Sequence, residues 1–236
     1  MPEAKTAVAN DVERMFKAGA HFGFSKSRRH PSAKPLIFGV KNKVEIFDLE
    51  KTKTYLEKAK AFVKEIAEKG GMMLFVGSKH EALEAVRASA TSLNMPFVAG
   101  RWIGGTFTNF PQIRKRVERL EMLTSQREKG ELTKYTKKER LLIDREIDSL
   151  NRFFSGIIPM KEMPKAVFVV DSKHEKIAVT EAHKVKIPVI AIAGSDCDLA
   201  EVDYPIPGND ASRGSVAFFL SEIVAAYKQG ASAKKS

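Results

Sequence analysis

Arg101-Trp102-Ile103-Gly104-Gly105-Thr106-Phe107-Thr108-Asn109-Phe110 divides the chain into two kinds of sequence. It holds the only tryptophan, a Gly-Gly pair and two threonines. Before it, short apolar runs alternate with helical patterns. After it, as far as Ser155, Gly130 is the only glycine, Pro111 is the only proline, and Arg, Lys and Glu dominate. The stretch reads as a junction at which a charged helical excursion leaves a globular body.

The body is read from its apolar runs. Met72 to Val76, Lys165 to Val170 and Pro188 to Ala193 are apolar almost throughout, the pattern of strands covered on both faces. Leu36 to Phe38 and Val44 to Phe47 are shorter strand candidates around Lys41-Asn42-Lys43. Pro96 to Ala99 and Val202 to Ile206 are two more. Helices are expected over 11 to 18, Thr52 to Glu68, Gly77 to Leu93, Glu175 to Lys184 and Ser212 to Tyr227. Strands alternating with helices predict a doubly wound parallel sheet in an α/β body. Right-handed crossovers put helices on both faces.

In the excursion, Ile113, Val117, Leu120 and Leu123 follow helical spacing, and so do Ile143, Ile147, Leu150 and Phe154. Thr136 followed by Glu139 forms a capping-box pattern for the second helix. Each helix has one narrow apolar stripe, so an antiparallel hairpin paired along one seam, a coiled coil, is expected over 106–155. The body is then discontinuous, 1–105 and 156–228. Residues 229–236, small and basic, are expected to form a flexible tail.

The chain has 236 residues, a formal net charge of +11 and a sequence pI of about 9.6. That balance suits an anionic partner, with nucleic acid first; a generally basic surface gives the same number. A single cysteine, Cys197, excludes an internal disulfide and fits a reducing compartment, the cytoplasm. Met1 to Asn10 is polar, unlike a signal peptide, and no apolar run approaches the ~20 residues of a membrane span.

The junction, read with other ordered segments, resembles a known family. Arg-Trp-Leu/Ile-Gly-Gly-x-x-Thr-Asn is the signature of the bacterial small-subunit ribosomal protein two family, the S-two family. Gly19-Ala20-His21-Phe22-Gly23, the box from Phe38 to Val44 with Asp48 to Thr52, Leu74 to Lys79, Pro164 to Asp171, Ile187 to Val189 and Ile206 to Asp210 fit in order over about 11 to 228. The resemblance implies a flavodoxin-like sheet with an inserted helical hairpin. It also implies a structural, non-enzymatic component of the small (30S) subunit that bridges 16S rRNA elements and touches neighbouring proteins. Such a protein assembles late and helps dock the flexible small-subunit protein one. It works as a single copy, not a homo-oligomer, and without a membrane. An organellar or archaeal relative fits the bacterial-style signature less well. The chain departs from the family at Phe24, where many members carry a second histidine, at Gly194-Ser195-Asp196, and at Ala211-Ser212.

Three groups of residues are candidates for rRNA contact. Lys26, Arg28, Arg29 and Lys34 lie between His21 and Pro35, which reads as a basic loop with almost no acidic neighbour. Arg114, Lys115 and Arg116 mark the hairpin base, and Arg101, Thr106 and Asn109 in the junction can face RNA beside them. Lys134, Lys137, Lys138 and Arg140, near the hairpin tip, form a partner-facing surface. Guanidinium forks match phosphate oxygens, and folded RNA is read by shape and backbone. Part of the hairpin charge is expected in i, i+4 pairs, Arg114 with Glu118 and Arg140 with Asp144. Trp102, Gly104 and Gly105 read as a structural junction, with the indole N–H on a carbonyl.

The competing class is a nucleotide- or small-ligand-binding enzyme using turns at the strand ends. Gly77-Ser78-Lys79-His80 resembles a phosphate turn but lacks the Gly-x-x-x-x-Gly-Lys-Ser/Thr spacing. No dinucleotide fingerprint or nucleophile elbow follows a strand. The five histidines are scattered and there is no second cysteine, which argues against zinc. No cofactor is expected. Asp196, Asp198 and Asp203 are the one candidate set for hydrated Mg²⁺ of the kind that accompanies RNA, and turns use Asp as often.

Overall fold

The computed structural model describes residues 11–233. The polar stretch Met1 to Asn10 and residues 234–236 of the expected tail lie outside the described residues.

Residues 11–17 form a helix, α1, closed by Gly19 at φ +74°. Three short strands follow: β1 (Phe22–Ser25), β2 (Ile37–Lys41) and β3 (Val44–Phe47). They form an antiparallel sheet in the order β1-β3-β2. Asn42 (φ 51°) and Lys43 (φ 66°) are both left-handed, the twist that a two-residue hairpin needs. Expected as a loop, the segment from His21 to Pro35 is therefore structured. It holds β1 and two 3₁₀ turns, Lys26–Arg28 and Pro31–Leu36, with Ala33 and Leu36 buried. Its order comes from distant bonds that no local pattern announces: His21 O accepts from Phe47 N, and His30 N donates to Ser195 O.

Asp48 then caps α2 (Leu49–Glu68), accepting from the N–H groups of Glu50 and Lys51. The rest of the body is β4 (Met73–Val76), α3 (Leu83–Ser92), β5 (Phe97–Val98), the hairpin helices α4 (Phe110–Glu128) and α5 (Lys137–Phe154), β6 (Ala166–Val170), α6 (Lys176–Lys184), β7 (Val189–Ala193), β8 (Tyr204–Pro207) and α7 (Arg213–Ala233). The helix expected from Gly77 begins only at Leu83, because Ser78 and Lys79 are drawn into bonds with the neighbouring strand ends. Expected to be a loose tail, residues 229 to 233 instead extend α7. There Gly230 lets α7 lie against α2, since a Cβ on it would come 2.6 Å from Lys64 O and 2.8 Å from Ala67 Cβ.

β5-β4-β6-β7-β8 is an all-parallel sheet. Numbered along the chain these five strands run 2-1-3-4-5, the flavodoxin-like order. Strict alternation divides each strand between two cores. Phe75, Phe168 and Ile192 face α2, α3 and α7. Leu74, Val76, Val169 and Ala191 face α6 and the feet of the hairpin. Each fully buried side chain of this size contributes roughly 1.5–3 kcal/mol relative to exposure.

The hairpin is continuous with the second core. Ile113, Val117 and Leu120 of α4 and Ile147, Leu150 and Phe154 of α5 join Trp102 and Val169 in one apolar cluster. Ion pairs cross the seam, Arg119 with Glu146 and Arg127 with Asp144, in the order of helices running in opposite directions. At the tip Gly130 turns the chain at φ +73°. Thr136 and Glu139 complete the capping box that starts α5.

Candidate nucleic-acid interface

The junction is built around Glu181, an α6 residue that sequence reasoning missed. Its carboxylate accepts five hydrogen bonds: from Trp102 Nε1 (3.2 Å), Gly105 N (2.7 Å), Phe107 N (3.0 Å), Thr108 N (3.2 Å) and Thr108 Oγ1 (3.2 Å). Burial alone would push this carboxyl up. The bonds from Gly105, Phe107, Trp102 and Thr108 outweigh it and hold the group below the usual carboxylate range. The available signal was one glutamate on the otherwise apolar face of Ala178, Val179 and Ala182.

Trp102 is buried and packs edge-on against Phe107, with ring centroids 5.1 Å apart. Its N–H binds a carboxylate, not the carbonyl expected. The two glycines differ: Gly105 needs its φ of +91°, whereas Gly104 is exposed and spacious. Thr106 does not face outward. It is 2% exposed, and its hydroxyl donates to Ile103 O at 2.6 Å. Arg101 and Asn109 are exposed.

The basic segment carries more internal pairing than its sequence suggested. Arg29 Nη1 lies 2.9 Å from Oε1 of the fully buried Glu45. Arg28 reaches Asp196 at 3.3 Å while its guanidinium sits 4.3 Å above the Phe24 ring. These carboxylates arrive from β3 and from the loop after β7, so the expectation of few acidic partners fails for both arginines. Lys26 and Lys34 are exposed and make no ion pair among the described residues.

On the hairpin, the expected pairs Arg114–Glu118 and Arg140–Asp144 are not formed. Arg114 Nη1 donates to the carbonyls of Ile158 and Met160 at 3.3 and 3.4 Å, tying the hairpin base to the returning chain. Asp144 pairs across the seam with Arg127 instead. Lys115 and Arg116 are exposed at the base, as are Lys134, Lys137, Lys138 and Arg140 at the tip.

The strand ends form a second polar cluster, at the point where strand order reverses between β4 and β6. Lys79 Nζ lies 2.5 Å from Asp171 Oδ2 and 2.8 Å from Asp210 Oδ2. The lysine of the phosphate-like turn is thus held by the protein's own carboxylates. Ser78 is held likewise: its N–H and hydroxyl both donate to Glu175 Oε1. Burial, then the Asp171 charge, raises Asp210 to about 6. Burial and the same carboxylates push the Cys197 thiol up to about 12, so it stays protonated and unreactive near neutrality.

The three aspartates considered for Mg²⁺ are not brought together. Asp196 takes Arg28 and Lys173, Asp198 caps Ala200 N, and Asp203 accepts from Val189 N. Two of the departures from the family pattern, Phe24 and Gly194, meet: a Cβ on Gly194 would come 2.8 Å from Asp210 Oδ1 and 3.1 Å from the Phe24 ring.

A family model described as Ribosomal protein S2 matches residues 15–230. The chain is similar to the small ribosomal subunit protein uS2 of Nocardia farcinica, with 44% identity over 223 residues covering 94% of this chain and 78% of that protein. For the protein of the same name from Mycobacteroides abscessus the figures are 43% over 223 residues, 94% and 80%. For that of Mycobacterium leprae they are 43% over 219 residues, 93% and 79%.

Proposed function

We propose, since the chain belongs to the ribosomal protein S2 family, that it clamps folded 16S rRNA through its unpaired surface cations while the parallel sheet serves as a rigid platform. Family membership makes it a structural constituent of the small ribosomal subunit and not an enzyme, in association with rRNA and other ribosomal proteins. No helix among the described residues is long and apolar enough to cross a membrane.

One observation carries the clamp. Of the candidate contact cations, those without an internal partner among the described residues are Lys26 and Lys34 on the outer segment, Arg101 in the junction, and Lys115 and Arg116 at the hairpin base. Arg28 keeps a partial claim, since its side chain is 57% exposed despite its ion pair. The hairpin tip, with Lys134, Lys137, Lys138 and Arg140, is the surface proposed for neighbouring subunit proteins, protein one among them. The protein works as a single copy without a resident cofactor; Mg²⁺ at the interface comes with the RNA.

Charge reversal separates contact from architecture. Lys26→Glu with Lys34→Glu is expected to lower occupancy of small subunits several-fold at moderate salt, with stability changed by no more than about 0.5 kcal/mol. Arg29→Glu strands Glu45 beside a second buried negative charge and is expected to destabilise the chain itself by about 3 kcal/mol or more. Occupancy in purified subunits and thermal melts of the free chain are the measurements. Full occupancy of the double lysine variant would sink the contact assignment.

A further inference from the structure

Beside the junction, a cavity of about 300 Å³ lies between the end of β5 and the foot of α5. Arg87, Arg101 and Arg152 line it, together with Asn151 and Ser155. They come from three separate parts of the chain: α3, the signature junction and the last turn of α5. No carboxylate lines the cavity, and none of the three arginines makes an ion pair or a side-chain hydrogen bond among the described residues. This sets them apart from Arg28, Arg29, Arg114 and Arg119, whose guanidinium groups are all engaged. Two of the guanidinium groups lie near aromatic rings. Arg87 lies 6.0 Å from the Phe97 centroid and Arg152 5.6 Å from that of Phe153. The wall is tightly packed: a Cβ on Gly156 would overlap the carbonyl oxygen of Phe97. Gly100, at φ +143°, leaves bare backbone at the rim.

Three guanidinium groups around one small cavity repel one another until an anion enters. Their planar forks suit phosphate oxygens, and Asn151 and Ser155 add neutral donors. We propose that this cavity seats a backbone phosphate of RNA, an inference that rests on the rRNA partnership proposed above. The volume is at the low end for ligand sites, enough for a phosphate with its sugar. All three arginines are exposed, so the cavity does not enclose a small ligand as tight capture of a free phosphate compound requires. A polymer has no such need, because its other phosphates are held elsewhere on the same surface.

The test uses the full-length chain carrying Arg87→Gln, Arg101→Gln and Arg152→Gln, added to small subunits stripped of this protein by high salt. Binding is followed across a KCl series beside the wild type. The variant is expected to bind about ten-fold more weakly at moderate salt, with a slope of log K against log[salt] shallower by about one and an unchanged melting temperature. Wild-type affinity and slope in the folded variant overturn the proposal and leave the ribosomal role standing. Failure of the wild type itself to bind takes down both. Inorganic phosphate and adenosine monophosphate are titrated in parallel. Saturable sub-millimolar binding that the variant loses, with subunit binding intact, overturns the RNA source in favour of a free phosphate. Ultraviolet irradiation of intact subunits should leave nucleotide adducts on the peptides carrying Phe97 or Phe153; adducts found only elsewhere on the chain contradict the seat.

Discussion

Replacing Glu181 with alanine is expected to lower the stability of the chain by about 3–5 kcal/mol, or roughly 10 °C in melting temperature. The side chain is 6% exposed and gathers the signature stretch by binding Trp102, Gly105, Phe107 and Thr108. Without it, backbone N–H groups and an indole N–H are left in a space too closed to hydrate all of them. Glutamine is no remedy, because its amide turns a donor toward other donors. The effect depends on pH. A carboxyl held below its ordinary range contributes stability that is complete above the unfolded value and is lost as pH falls through the folded one. The gap between wild type and Glu181→Ala should therefore narrow in acid. Melts of the two chains from pH 7 downward measure it; an unchanged melting temperature at pH 7 would show that the junction is held by packing alone.

Lys79→Met should be about as damaging, and its loss should also shrink in acid, here because the variant itself takes up a proton. Burial pulls the ammonium pKa down, but the Asp210 charge and the bonds to Asp171 and Asp210 overcome this and hold it well above the ordinary lysine range. Deleting the charge leaves two carboxylates facing each other with side-chain exposures of only 8% and 1%. A loss of about 3–5 kcal/mol is expected at pH 7.5. Asp210, already raised to about 6, then takes up a proton still more readily. A carboxyl raised in the folded state contributes stability present at low pH and lost as pH rises through the folded value. The variant should thus recover as pH falls, beginning above the value at which Asp210 titrates in the wild type, and adding Asp210→Asn should restore much of its stability at neutral pH. Urea midpoints at pH 5 and 7.5 test this. Equal losses at both values would show that the lysine's stem, not its charge, matters.

The central strands were legible because parallel strands covered on both faces must be apolar throughout, as Leu74, Phe75, Val169 and Ile190 are. The hairpin was legible from Val117, Leu120, Ile147 and Leu150 at helical spacing, and its second helix from Thr136 and Glu139. β1 was not. Phe22 is 47% exposed, the strand has no alternation, and its partner Ile46 lies well along the chain. Charge was the least legible property. Arg28 and Arg29 look free in sequence, yet Asp196 and Glu45 reach them through the fold. Arg114 is spent on carbonyls, and Thr106 on the turn that it closes. Arg87 and Arg152 had no distinguishing signal, because only the packing of α3 and of the turn after α5 against β5 brings them to the same cavity. Phe24, Gly194 and Ala211 were visible as departures from the family pattern; that Phe24 and Gly194 meet beside Asp210 was not.

The most direct test of the central claim is sedimentation of cell lysate through gradients at moderate and then high salt, with this chain followed by quantitative immunodetection. An rRNA clamp held by phosphate contacts should migrate with the small subunit in about one copy per particle at moderate salt and be released as KCl is raised. Migration as free protein at moderate salt would contradict it.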